Sequence, residues 1–335
     1  MSKRVAINGF GRIGRMVLRA LVESSRTDLE IVAINDLAET DRLVHLLKYD
    51  SVHGRFPAIL SSQDNQILVE ERPIQCFSES DPARLPWAEL NIDIVMECSG
   101  FFLTQDLSGK HILAGAKRVL MSAPAKDQTK TIVYGVNDNI IDASDIFLSN
   151  ASCTTNALAP VLSVLDEHYG VKSGIMTSIH AYTGDQNLHD GLHKKPNRGR
   201  AGALSMVPTT TGAAKAIGKV IPKLSGKLDG MAVRVPVPNV SMIDLTVTTE
   251  KEATAETINQ AFLEASRDSL KGVMGYVDEP LVSSDFNHDP HSSNIIQDQT
   301  FVNQQRLIRV MAWYDNEWGY SNRMLDTANV ISKFL

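Results

Sequence analysis

The chain has 335 residues, long enough for about two hydrophobic cores of ordinary size. Hydrophobic residues make up 43% and charged residues 21%, a globular mixture that excludes extensive disorder. The net charge of −6 disfavours nucleic acid or an anionic membrane as the main partner.

In chain order, the N-terminal apolar run stops at Asn8 and Gly9, too soon for a secretory signal, so none is expected. Arg4 to Asn8 reads as a short buried strand, and Arg12 to Ser24 as a helix with Ile13, Val17, Ala20 and Leu21 on one face. Glu30 to Asn35 is apolar and β-branched, a second buried strand. Further strands are predicted at Asp93 to Cys98, Arg118 to Ser122 and Thr131 to Val136, with a helix over Gln105 to Gly115. Strands alternating with helices predict βαβ units and a Rossmann-type, doubly wound parallel sheet.

After about residue 150 the character changes. A helix starts near Cys153, and strands follow at Gly174 to Tyr182, Gly230 to Pro236, Met242 to Thr249 and Leu307 to Asp315. No regular helices are read between them, which predicts a large mixed or antiparallel sheet. Residues 183–205 form a long polar loop, a length usually tied to function or an interface. Ser321 to Leu335 is helical. The fold class expected is α/β in the first part and α+β in the second. The expected domains are 1–150 with 316–335, the C-terminal helix returning to the first domain, and 151–315. No stretch approaches the ~18 apolar residues of a membrane span. Cys76, Cys98 and Cys153 show neither a disulfide framework nor metal-ligand spacing, so no metal is expected and a reducing, cytoplasmic setting is.

Gly9-Phe-Gly11-Arg-Ile-Gly14 fits G-x-G-x-x-G between a strand and a helix, the context that dinucleotide binding needs. Glycines there allow a tight turn, backbone approach to a pyrophosphate and close helix packing, while the helix N-terminus favours the negative charge. Asp36 ends the second strand, where a carboxylate would hold ribose hydroxyls and repel a 2′-phosphate, so NAD is expected over NADP.

Ser149-Asn-Ala-Ser-Cys153-Thr-Thr-Asn156 joins a strand to a helix. A thiol at a helix start gains thiolate character from the dipole and nearby N–H groups, so a lowered pKa is expected. A structural buried cysteine would not be flanked by so many capping residues. His180 closes a strand in Ser178-Ile-His-Ala-Tyr182. A Cys and a His on separate elements also suit a protease. The dinucleotide motif favours aldehyde oxidation instead: the thiol adds to the carbonyl, the hemithioacetal gives up hydride, and a thioester remains.

Over essentially its whole length the sequence resembles the phosphorylating glyceraldehyde-3-phosphate dehydrogenases. The likeness rests on INGFGRIGR at 7–15, KYDSVHGRF at 48–56, SNASCTTN at 149–156, HAYTGDQ at 180–186, PTTTGAAKAIGKVIP at 208–222, GMAVRVPVPNVSMIDLT at 230–246 and WYDNEWGYSNRM at 313–324. It implies an enzyme that oxidises and phosphorylates glyceraldehyde 3-phosphate with NAD, using Cys153 as nucleophile and His180 as its activator and proton carrier. It implies pyrophosphate contacts from Arg12 and Ile13, and nicotinamide-side contacts from Ser122 and Asn316. It assigns the substrate phosphate to Thr183 and Arg234, and inorganic phosphate to Ser152, Thr154, Arg198, Thr211 and Gly212. It also implies a homotetramer in which the 183–205 loop lines a neighbour's cofactor site.

Three positions depart from the family pattern. Ser80 stands where many members have an arginine before Asp-Pro, Ala157 where many have a second cysteine, and Asn187 to Lys195 is less typical. The rival readings are an erythrose-4-phosphate dehydrogenase, which shares the cofactor, cysteine and histidine, and a non-catalytic NAD-binding interaction protein. HAYTGDQ and TTTGAAKA favour the glyceraldehyde-phosphate enzymes, and the complete Cys–His and phosphate sets favour catalysis.

Overall fold

A computed structural model describes residues 2–335, which divide into two compact units. The first comprises residues up to Ile132, Asp138–Ser152 and Ser321–Leu335. Its nine-stranded sheet runs Lys130–Thr131, Phe147–Ser149, Arg118–Met121, Ile94–Glu97, Lys3–Asn8, Leu29–Asn35, Arg72–Phe77, Gln66–Val69, Leu60–Gln63. The strands from Lys130–Thr131 to Arg72–Phe77 pair in parallel. Their registers set Asn8 beside Asn35 and Glu97, Glu97 beside Met121, and Met121 beside Ser149. The carboxyl ends therefore share one edge, where α/β sheets bind ligands. Ile94–Glu97 and Arg118–Met121 are buried throughout, which is why they read as unbroken apolar runs. The helix Arg12–Glu23 buries Met16, Val17, Ala20 and Leu21.

Two strands at the far edge, Gln66–Val69 and Leu60–Gln63, turn antiparallel. Asp64 and Asn65 take positive φ at the hairpin between them, a tight turn that suits short polar side chains. This edge carries no expectation from the sequence. The strand expected over Thr131 to Val136 is corrected: only Lys130–Thr131 pairs. Gly135 adopts φ +81°, and the Asn137 side chain accepts the Val133 N–H at 2.8 Å, so the chain turns there.

The second unit is Val133–Asn137 with Cys153–Tyr320. Its sheet runs Val207–Thr210, Leu228–Val235, Val171–Ala181, Ser241–Thr249, Leu307–Tyr314, Ser293–Ile296, Met274–Val277, with Phe301–Asn303 beside Leu307–Tyr314. Val171–Ala181 pairs in parallel with Leu228–Val235 and antiparallel with Ser241–Thr249, so the sheet is mixed, as expected. Ser241–Thr249 alternates buried and half-buried residues along its whole length.

The expectation that no regular helices intervene among these strands is corrected. Ala213–Val220 and Ala255–Arg267 lie between them and pack with the helix Cys153–Tyr169. Thr254 and Thr257 cap the second reciprocally, and Ile258, Ala261, Phe262 and Ala265 form its buried stripe. Within residues 183–205 the only helical turn is Pro196–Gly199. Among the described residues no helix is long and apolar enough to cross a membrane.

Candidate active site

In the first unit the three motif glycines have separate reasons. Gly9 has φ +91°, and a Cβ there would lie 2.5 Å from Ser99 N. A Cβ on Gly14 would lie 2.3 Å from Gly9 O, so helix and turn touch through backbone. A Cβ on Gly11 would meet nothing within 4 Å, so the chain packing does not demand this glycine. What it leaves is open space over the start of the helix Arg12–Glu23, whose N-terminus no side chain caps. That is the room and the polarity a pyrophosphate needs, and the residues present fit a dinucleotide.

Asp36 sits beside this loop. Its Oδ2 accepts the Phe10 N–H at 2.7 Å and its Oδ1 the Ala38 N–H at 3.0 Å, so the carboxylate is fixed at the end of its strand. Arg12 turns its guanidinium to Asp50. Burial would raise the Asp50 carboxyl, but the His53 and Val52 amides and Arg12 hold it down to about 2. Arg12 and Ile13 therefore offer main chain, not a loose guanidinium, at the helix start. Ser122 donates its N–H to Glu97 O at 2.9 Å at the same sheet edge.

Beneath the loop, Glu97 is fully buried and accepts from Asn8 Nδ2 at 2.5 Å, Ser99 N at 2.8 Å, Ser99 Oγ and His111 Nε2 at 3.1 Å. Trp87 Nε1 donates to His111 Nδ1 at 3.1 Å, which leaves the His111 proton on Nε2. This network pins the Ser99 turn against which Gly9 packs.

In the second unit Cys153 opens the helix Cys153–Tyr169, and His180 lies near the end of Val171–Ala181. Sγ and Nε2 are 3.6 Å apart. Nδ1 donates to Ala181 O at 2.7 Å, so the ring proton sits on Nδ1 and Nε2 faces the thiol as a base. Burial, then the charges of Arg234 and Arg198, push the imidazole down to about 3, so it is neutral at rest.

The thiol corrects the expected pKa direction. Burial pushes Cys153 above its ordinary value, and outweighs Arg234 and the Thr154 and Cys153 amides, which pull it down. The helix start alone does not make a resting thiolate here.

Arg234 is the register partner of His180 on the neighbouring strand. Its Nη1 donates to Thr183 Oγ1 and to Ala181 O, each at 3.1 Å. Its Nε is buried without a partner. Arg198 pairs with Asp185 and donates from Nε to Thr209 Oγ1 at 3.1 Å. Thr211 Oγ1 accepts the Ala213 N–H at 3.2 Å, and Gly212 caps that helix with open space where a Cβ would be. The Thr154 hydroxyl turns inward to Tyr314 at 3.0 Å and is 5% exposed, so its main chain is the part available to an anion. Ser152 directly precedes Cys153 in the chain. Asn316 is buried, and its Oδ1 accepts from Ser241 Oγ at 2.8 Å, which leaves the amide hydrogens as the donor end. Among the described residues no cluster of His, Cys, Asp and Glu could hold a metal.

Sequence reading missed Tyr314. Its hydroxyl meets Thr154 and, at 2.9 Å, Ser178 Oγ, and its ring stands edge-on to His180 with centroids 6.1 Å apart. It joins the start of the cysteine helix to the histidine strand. The residue lies in the aromatic segment at 313–324, but only the tertiary fold gives it those partners.

Residues 3–105 match the family model described as glyceraldehyde 3-phosphate dehydrogenase, NAD binding domain, and residues 152–316 the corresponding C-terminal domain. The chain is 55% identical to a glyceraldehyde-3-phosphate dehydrogenase of Cereibacter sphaeroides, with all of both chains covered. It is 54% identical to that of Xanthobacter flavus over 99% of each chain, and 50% identical to glyceraldehyde-3-phosphate dehydrogenase 2 of Bacillus subtilis over 97% of this chain and 96% of the other. The chain belongs to the glyceraldehyde-3-phosphate dehydrogenase family.

Proposed function

We propose that this NAD-dependent oxidoreductase converts D-glyceraldehyde 3-phosphate and inorganic phosphate to 1,3-bisphosphoglycerate. One observation carries the reading: Cys153 Sγ lies 3.6 Å from His180 Nε2, beside the Arg234 and Thr183 pair. Arg234 and Thr183 hold the substrate phosphate, since a guanidinium and a hydroxyl are strong phosphate donors. Cys153 attacks the aldehyde as His180 takes its proton and passes it to the carbonyl oxygen, giving a hemithioacetal. NAD, when bound, supplies the hydride acceptor. The Gly9–Gly14 turn, Arg12, Ile13 and Asp36 bind it, with Ser122 and Asn316 toward the nicotinamide. Inorganic phosphate, held by Arg198, Thr211, Gly212 and the main chain at Ser152 and Thr154, then cleaves the Cys153 thioester.

Two further proposals follow from the surface and the cysteines. Leu188, Leu192 and Leu204 on the long loop, and Met206 just beyond it, are at least 75% exposed, which supports burial against other copies in a homotetramer. All three cysteines are free, which supports a cytoplasmic setting. The test of substrate choice is kcat/KM for glyceraldehyde 3-phosphate against erythrose 4-phosphate, with NAD and phosphate saturating. The expected result favours glyceraldehyde 3-phosphate, and a preference for the four-carbon sugar would make this the sister enzyme.

A further inference from the structure

A short buried hydrogen-bond chain in the second unit has a polarity fixed at one end. It begins at the main-chain N–H of Ala181, which can only donate and which meets Ser241 Oγ at 3.0 Å. Ser241 is 1% exposed, and its hydroxyl has a single hydrogen to give. Its Oγ lies 2.8 Å from Asn316 Oδ1. The Tyr314 hydroxyl faces Ser241 as well, but Ser178 and Thr154 already stand 2.9 and 3.0 Å from it. The Ser241 hydrogen therefore goes to Asn316, whose amide turns its oxygen inward and its hydrogens away. The main chain around Asn316 is held separately. Asp315 Oδ1 accepts the Glu317 and Trp318 N–H groups at 2.9 and 2.8 Å, and Oδ2 accepts the His288 N–H at 2.7 Å. What remains to be set is which end of the Asn316 amide faces out. Val240, just before Ser241, has φ +66°, a backbone that a β-branched residue takes only when its surroundings impose it.

We propose that Ser241 is a positioning residue: its hydroxyl fixes Asn316 as a donor, and so decides which end of a nicotinamide carboxamide the site accepts. This rests on the reading of Asn316 as a nicotinamide contact. The carboxamide has an acceptor end and a donor end, and half a turn exchanges them. An Asn316 held as a donor takes the oxygen end alone, which holds the ring in one orientation for hydride transfer. Without the Ser241 hydroxyl the Asn316 amide is free to turn over and set oxygen against oxygen. The Ala181 N–H is then left buried with no acceptor. The same peptide serves the base, because Ala181 O accepts His180 Nδ1–H at 2.7 Å. Ser241 thus ties the cofactor anchor and the proton acceptor to one main-chain unit.

The test is equilibrium binding to the full chain, by calorimetry without substrate, of NAD and of thionicotinamide adenine dinucleotide, whose C=S is a poor acceptor. The native protein is expected to bind the thio analogue about tenfold more weakly than NAD, the worth of one good hydrogen bond. Ser241→Ala is expected to weaken NAD about tenfold and to shrink the thio penalty to about twofold or less. Ser241→Thr, which keeps the hydroxyl, is expected to retain the penalty. A merely structural serine would weaken both cofactors alike, so an unchanged ratio in Ser241→Ala overturns the proposal whatever happens to the melting temperature. A native protein that binds both cofactors equally overturns it too. Should Ser241→Ala fail to fold, Ser241→Cys fills the same space with a weaker donor and is judged by the same ratio. Asn316→Ala separates the two readings. If it abolishes the penalty while Ser241→Ala keeps it, only the role of Ser241 falls. If it leaves the penalty intact, Asn316 does not touch the carboxamide, and that reading falls as well.

Discussion

Replacing Asp36 by asparagine removes one negative charge and nearly keeps the side chain's shape. The carboxylate cannot swing away from a ligand, because the Phe10 and Ala38 amides hold its two oxygens at 2.7 and 3.0 Å. Two unit charges about 4 Å apart interact by about 1 kcal/mol in bulk water and about 4 kcal/mol at the effective dielectric of a protein surface. The 2′-phosphate of NADP carries nearly two charges, and Asp36 is half-buried. Its repulsion is then worth at least about 2 kcal/mol, or about 30-fold or more in relative kcat/KM. Asparagine can accept only one of the two amides, so NAD binding should weaken by about 1 kcal/mol. The assay is kcat/KM for both cofactors in the native protein and in Asp36→Asn, at fixed low salt because screening shrinks the effect. The expected outcome is a strong native preference for NAD that narrows by the factor above, mainly through better use of NADP. Comparable use of both cofactors by the native protein, or an unchanged ratio in the variant, would refute the reasoning.

His180→Asn should leave NAD affinity intact, lower the chemical rate on the order of 10²- to 10⁴-fold and slow alkylation of Cys153 near pH 7; an unchanged alkylation rate would remove the histidine from thiol activation. The same variant tests acid stability. The folded imidazole stays neutral down to about 3 while the unfolded one takes a proton near 6.5, so native stability falls as pH drops through that window, and His180→Asn should flatten this loss in urea melts. Gly9→Ala should cost more than the about 1–2 kcal/mol of left-handed backbone because its methyl meets Ser99 main chain, whereas Gly11→Ala should spare stability and weaken NAD binding; equal effects of the two on stability would contradict the assigned roles. Mild peroxide should give glutathionylated or over-oxidised Cys153 rather than an internal disulfide. Buried Ala157 stands in place of a resolving thiol, and burial raises Cys76 to about 11 and Cys98 to about 12; peptide mass spectrometry showing a dominant Cys153–Cys76 or Cys153–Cys98 bridge would sink this.

Much of the site was legible because its residues sit where local chemistry changes period. The glycine turn, Asp36, Cys153 and His180 all lie at the ends of strands or the start of a helix, where apolar pattern gives way to polar residues. The central parallel strands were legible for the same reason, being unbroken apolar runs. The expected strand at Thr131 to Val136 had the right composition, but the turn at Gly135 and the Asn137 side chain that satisfies Val133 decide the local path. The helix Ala255–Arg267 was legible in principle, since Thr254 and Thr257 stand at capping-box spacing ahead of an apolar stripe. What no local reading supplies is burial. The helix start promised a lowered thiol pKa, and desolvation reversed it. The Tyr314 hydroxyl hub and the Glu97–His111–Trp87 chain depend on residues distant in sequence and have no local signature.

The most direct test of the central claim is the time course of NADH formation from glyceraldehyde 3-phosphate with inorganic phosphate omitted. If Cys153 carries the acyl group as a thioester that phosphate must cleave, a burst near about one equivalent per active site should be followed by a slow rate, and added phosphate or arsenate should restore steady turnover. Full turnover without phosphate would mean that water cleaves the acyl-enzyme, and the chain would be a hydrolytic aldehyde dehydrogenase instead.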